Sequence, residues 1–188
     1  MLMYKNGDTD AFEILYRRYE KPLLDFIYRM VMNLSEAENL YQETFYRVIK
    51  SKKAYKVTAK FKTWLFQIAI NLCRDRFRKM KHRSHLSLNA YSTSQNDDGI
   101  EYQGFISNPS VDTAKQVESK ELGFLVKAAI ASLPEKERLV VILKEYQGMK
   151  FSEIADILNC PIGTALSLNY RAQEKLKKIL SKYIGVEQ

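Results

Sequence analysis

Apolar residues recur at helical spacing in two blocks of the chain, separated by a stretch with no sustained periodicity. Phe12, Leu15, Tyr16, Tyr19, Leu23, Phe26, Ile27 and Met30 mark one face of a first long helix. Asp8 or Thr9 is its cap, and Pro22 predicts a kink or a restart within it. Asn33-Leu34 interrupts the pattern. Ser35 and Glu38 then have the spacing of a capping box, opening a helix that buries Ala37, Leu40, Tyr41, Thr44, Phe45 and Val48. A lysine-rich loop, SKKAYKVTAK, fills 51–60, and a third helix carries Phe61, Trp64, Leu65, Ile68, Leu72 and Phe77 along one stripe. These helices can enclose one core.

Residues 84 to 111 are rich in Ser, Asn, Gln and Asp and read as a flexible linker. A second helical block starts near Asp112 with Leu122, Leu125, Val126, Ala129 and Ile130 on one helix. Pro134 opens the next at the first helical position, and Gly148 is its stop. Residues 151–182 then read as a short helix, a tight turn and a longer helix. Ser152 is the expected N-cap, and Ile154, Ala155, Ile157 and Leu158 form the apolar face. Cys160-Pro161-Ile162-Gly163 breaks the pattern, and Thr164 stands where the last helix should start. That geometry places a second helix in the DNA major groove, although any helical hairpin shares the pattern.

Composition agrees with an all-α fold of two small helical domains. Hydrophobic residues make up 46% of the 188, while seven Gly and four Pro leave little turn chemistry for a β-rich fold. The net charge of +8 is uneven. Lys and Arg outnumber Asp and Glu by 18 to 9 over 1–83, trail by 2 to 6 over 84–121, and lead by 10 to 7 over 122–188. Two basic blocks around an acidic connector suggest that each block meets a polyanion. Cys73 and Cys160 have no pairing or ligand spacing, and with only His82 and His85 a zinc site is not expected. The start, MLMYKNGDTD, lacks the apolar core of a signal peptide, and no apolar run reaches bilayer length, so a soluble cytoplasmic protein is expected.

No catalytic constellation is visible: there is no Gly-rich phosphate loop, HExxH or nucleophile elbow, and no cofactor is called for. The third helix is more suggestive. Between Lys60 and Arg83 stand eight basic residues and one acid, Asp75, while Tyr55, Phe61, Trp64 and Phe66 offer ring faces. Cations beside aromatic platforms suit unstacked bases, each stacked base contributing roughly 1–3 kcal/mol. Phe61 and Trp64 also fit the core stripe, so packing and base contact both remain open for them. Asn71 can donate to and accept from a base edge.

The order DTDAFEILYRRYEKPL, SEAENLYQETFYRV and FKTWLFQIAINLCRDRFRK resembles region 2 of bacterial sigma factors. The block LPEKERLVVILKEYQGMKFSEIADILNCPIGT resembles region 4. With no region 3 between them, the resemblance is to the extracytoplasmic-function (ECF) group of the sigma-70 family. It implies a region 2 domain at 1–83, a linker at 84–111 and a region 4 domain at 112–188. The implied partners are RNA polymerase core, through its clamp coiled coil and flap regions, promoter DNA, and an anti-sigma factor. On the polymerase-docking helix the resemblance selects Glu36, Asn39, Gln42 and Glu43. For the opened minus-10 strand it selects Tyr55, Lys56, Phe61, Lys62, Asn71, Arg74 and Arg78. For the minus-35 duplex the candidates are Thr164, Ser167, Asn169, Tyr170, Arg171 and Gln173. Opening the strands would draw on the binding of unstacked bases, with no nucleotide hydrolysis.

The last helix departs from the family pattern. Two positions that usually carry cations are Leu166 and Leu168, and a usual core Leu is Asn169. Leu168 can turn into the core, leaving Asn169 or Gln173 to read adenine, or Leu166 can meet a thymine methyl or a regulatory partner. The alternative function is a stand-alone helix-turn-helix regulator that binds paired half-sites unaided.

Overall fold

The computed structural model describes residues 1–56, 60–86 and 113–184. In chain order these form α1 (Leu2–Lys5), α2 (Asp10–Val31), α3 (Leu34–Lys50), a 3-10 turn (Lys52–Ala54) and α4 (Phe61–Leu86). The second block contains α5 (Thr113–Ala131), α6 (Glu135–Val141), a π-type turn (Ile142–Tyr146), α7 (Phe151–Leu158) and α8 (Ile162–Ile184). No strand occurs among the described residues. The expected linker begins three residues inside α4, and positions 87–111 of it lie outside the described residues.

In the first body α2, α3 and α4 pack around Leu23, Phe26, Ile27, Met30, Leu65, Phe66 and Ile70, all essentially solvent-free. The six α3 positions expected inside are buried. Thr44 is tolerated there because its hydroxyl donates to the Leu40 carbonyl at 2.7 Å. The core face of α4 is rotated from the expected stripe. Phe66, Ala69, Ile70 and Cys73 join Leu65 and Leu72 inside, while Phe61, Trp64, Ile68 and Phe77 are only half-buried at its border. Phe66 therefore offers no ring face to a base: it packs edge-on to Phe26, with centroids 5.1 Å apart.

Several caps differ from expectation. Asp8 rather than Thr9 supplies the side-chain acceptor for α2, taking the Ala11 N–H at 3.0 Å. Pro22 sits inside an unbroken α2, with no restart. Met32 turns the chain in the left-handed region (φ 56°), and Asn33 caps α3, accepting the Glu36 N–H at 2.8 Å. Ser35 and Glu38 thus lie within the helix, Ser35 two positions past the cap. Pro134 is the residue before α6, one position earlier than expected. Gly148 does stop the helix, at φ 59°, with Met149 N–H bonded back to the Leu143 carbonyl.

Lys150, not Ser152, precedes α7, and its N–H donates to the Glu153 carboxylate at 2.9 Å. Left-handed Asn159 ends α7, and α8 begins at Ile162, two residues ahead of Thr164. Ile154, Ala155 and Ile157 seat α7 on α8, and Leu139, Val140, Ile142 and Leu143 complete the second body.

The two bodies pack against each other, α7 on α4 and α5 with the π-type turn on α2. Their apolar residues join in one core cluster.

Candidate polymerase and promoter surfaces

The face of α3 turned away from the core carries the docking candidates. Asn39 and Gln42 are exposed. Glu43 pairs with Arg47 at 2.8 Å, and Glu36 pairs with Arg76 of α4. An open groove between α3 and α4 is lined by Glu36, Asn39, Leu40, Glu43, Asp75 and Arg76. Leu40 and Leu72 add an apolar part to the carboxylates and cations of this groove, and Arg78 also lines it.

The candidates for the opened strand divide into three groups. Tyr55 is buried, with its ring 5.2 Å from Trp64 and 6.2 Å from Phe61. In this conformation it packs beneath the surface and presents no free face to a base, which corrects the expectation of direct stacking. Phe61 also meets Tyr19 at 5.4 Å, so the half-buried Phe61 and Trp64 form the rim of an aromatic cluster. Lys56, Asn71 and Arg78 are exposed, Arg78 pairing with Asp75 at 3.4 Å.

Lys62 and Arg74 belong to the third group: the second body already engages them. Lys62 donates to the Gln147 carbonyl, and burial lowers its pKa. Arg74 meets Glu135 at 3.4 Å. Beside them Lys60 pairs with Glu153 at 3.0 Å, and the Gln67 amide donates to the Ile157 carbonyl at 3.1 Å. Positions 64, 67, 71, 74 and 78 fall on one face of α4 by helical period. The same face that faces solvent at Asn71 is thus covered at Gln67 and Arg74 by carbonyls and carboxylates.

Further bonds tie the bodies along the second half of α2. Arg138 donates to the Met30 carbonyl at 3.1 Å and to those of Ala131 and Leu133 at 2.6 and 3.2 Å. The Gln147 amide donates to the Pro22 carbonyl at 3.2 Å, and the Arg29 guanidinium lies 3.7 Å from the Tyr146 ring centre. None of these was expected from the sequence. Most are side chains bonding to main-chain carbonyls, an acceptor that every residue carries.

On α8 the duplex-reading candidates Thr164, Ser167, Tyr170, Arg171 and Gln173 are exposed. Ser167 donates to the Thr164 carbonyl at 2.9 Å, and Arg171 to the Ser167 carbonyl at 3.3 Å. Leu168 is turned into the core, as one expectation held. Asn169 is a correction: it is buried beside Leu168, on the core side of the helix, and its Oδ1 has no hydrogen-bond partner. It does not share the outer face with Ser167 and Arg171.

Residues 15–83 match the family described as Sigma-70 region 2, and residues 124–176 match Sigma-70, region 4. The ECF RNA polymerase sigma factor SigW of Bacillus subtilis (strain 168) is 35% identical over 176 residues, spanning 94% of this chain and 92% of that protein. The chain belongs to the ECF group of the sigma-70 family. The ECF RNA polymerase sigma-E factor of Escherichia coli (strain K12) is 30% identical, over 92% of this chain and 87% of that one.

Among solved structures, the sigma factor RpoE in complex with the anti-sigma factor NepR from Bartonella quintana shares the fold. Its TM-score is 0.70 at 22% identity, over 96% of this chain and all of that one. CnrH in complex with the cytosolic domain of CnrY gives a TM-score of 0.66 at 20% identity, over 95% and 92%. As a member of this family the protein is a sigma factor: it binds RNA polymerase core and directs promoter recognition in transcription initiation. No helix among the described residues is long and apolar enough to cross a membrane.

Proposed function

We propose the following division of labour within this sigma factor. The outer face of α3, through Glu36, Asn39, Gln42 and Glu43, docks on the polymerase clamp. Lys56, Phe61, Lys62, Asn71, Arg74 and Arg78 hold the opened minus-10 strand, with Tyr55 bracing the aromatic rim. Thr164, Ser167, Tyr170, Arg171 and Gln173 face the minus-35 duplex. The first two tasks belong to residues 1–83 and the third to 112–188, joined by the connector 84–111. The protein performs no bond chemistry itself, acts in the cytoplasm and is held in check by an anti-sigma factor.

One observation carries the strand-binding reading. On α4 and its approach, Lys60, Lys62, Gln67 and Arg74 all donate to carboxylates or carbonyls of the second body. A face whose donors are met by a row of acceptors is suited to phosphates and base edges, which are acceptors too. On this reading the second body must move away before the strand can bind.

The division is tested by titrating fluorescent variants with core polymerase. The double variant Asn39→Ala/Gln42→Ala is expected to bind core at least tenfold more weakly, and Lys56→Ala/Asn71→Ala to bind it as the parent does. Equal losses in both would reject the assignment.

A further inference from the structure

The second body leaves three large apolar side chains in solvent along one line of α8. Ile162 is 51% exposed, Leu166 46% and Tyr170 65%. Four residues apart, they share one face of the helix. The line is separate from the core, because Ala165, Leu168, Asn169 and Ala172 are the buried positions. None of the bonds described above between the two bodies involves α8.

The chemistry beside the line limits what can cover it. Thr164, Ser167 and Arg171 border it, and Lys177, Lys178 and Lys182 lie exposed further along the same helix. A second copy of a chain with net charge +8 is a poor match for that rim, and a polyanion is a good one. Duplex DNA offers both features at once: phosphates for the cations, and the thymine C5-methyl as an apolar group on the floor of the major groove. Leu166 has no donor to give to guanine, and the polar groups next to it are partly committed to their own helix, Ser167 to Thr164 and Arg171 to Ser167.

We propose that α8 reads its upstream promoter element through thymine methyl groups, with Leu166 as the principal contact and Ile162 and Tyr170 flanking it. This rests on the assignment of α8 to the minus-35 duplex and adds the base chemistry: an element rich in A·T pairs, read by apolar contact more than by hydrogen bonds. Binding there depends less on salt than recognition by cations would.

The test uses holoenzyme assembled from core polymerase and the full chain. Promoter fragments with a randomised upstream segment are selected for binding, and each selected thymine is then replaced by deoxyuridine, which removes only the methyl. The loss of one buried methyl is expected to weaken binding about fourfold at the thymine facing Leu166. Leu166→Ala, at an exposed position where folding is unaffected, should bind the thymine and uracil forms alike. Arg171→Ala should weaken both forms equally and keep their ratio.

Selected elements that are insensitive to uracil, or a Leu166→Ala holoenzyme that keeps the preference, would overturn the proposal while leaving duplex reading by α8 intact. A pool that emerges with no upstream preference would overturn both.

Discussion

The Lys62 ammonium donates to the main-chain carbonyl of Gln147, joining residues 85 positions apart across the two helical bodies. The Gln147 side chain in turn donates to the Pro22 carbonyl, so one residue of the second body engages both α4 and α2 of the first. Lys62 and Arg74, which the second body engages, are among the residues proposed for the promoter strand, while Asn71 and Arg78 stay exposed. On that proposal closure and strand binding compete for the Lys62 and Arg74 donors.

Charge reversal at the acidic partners should open the molecule. Glu135→Arg with Glu153→Arg would face Arg74 and Lys60 with like charges in place of the present ion pairs. The expected result is a larger radius of gyration by small-angle scattering and tighter binding of a single-stranded oligonucleotide by the free protein. An unchanged radius would show that apolar packing alone holds the bodies together.

Arg138 bonds the carbonyls of Met30, Ala131 and Leu133. Truncation to Ala removes the donor from three acceptors and is expected to cost roughly 2–3 kcal/mol in denaturant unfolding. A loss below half a kcal/mol would mean that water replaces the guanidinium freely.

How far the sequence could carry these conclusions differs from element to element. The inner face of α3 was legible position by position, because Ala37 through Val48 follow a single amphipathic period. The Gly148 stop was legible because a left-handed residue there needs no side-chain compensation. Caps were less so: Asn33 and Ser35 are both good cap residues, and the left-handed turn at Met32 selects the first. Packing between the bodies was not legible at all, since Lys62, Gln67 and Arg138 bond to main-chain carbonyls. Asn169 is hard to place from the sequence for a related reason. Its polarity suggests an outer position, whereas its spacing from Ala165, Leu168 and Ala172 puts it among core residues.

That placement makes Asn169 a stabilising target. Its buried Oδ1 lacks a partner, and its helix neighbours Ala165, Leu168 and Ala172 are buried apolar residues. Asn169→Leu is expected to raise stability by about 1 kcal/mol or more while leaving duplex affinity of the holoenzyme unchanged. A fall in promoter affinity without loss of stability would return Asn169 to the reading face.

Acid should loosen the contact between α7 and α4. The Lys150 N–H, and then the Lys60 ammonium, hold the Glu153 carboxyl below its usual pKa. A depressed carboxylate contributes stability above its unfolded pKa, and that contribution fades as pH falls through the folded value. Thermal melts should therefore show the parent more stable than Glu153→Gln near neutrality and the gap closing below about pH 4. A gap independent of pH would remove the charge from the explanation.

The two thiols should behave differently. Burial pushes the Cys73 thiol up to about 12, whereas Cys160 is half-buried in the turn before α8. A maleimide at neutral pH is expected to modify Cys160 alone in the native protein and both residues in denaturant, as counted by mass spectrometry. Rapid native labelling of Cys73 would mean that the first body opens readily.

The central claim is that the exposed edge of α4 and its loop hold the melted promoter strand while α3 holds the polymerase. Permanganate reactivity of minus-10 thymines, in complexes formed by holoenzyme at saturating core, measures this directly. The account predicts strong reactivity with the parent and at least a tenfold loss with Lys56→Ala/Asn71→Ala at unchanged core affinity. Full reactivity with that double variant would contradict it.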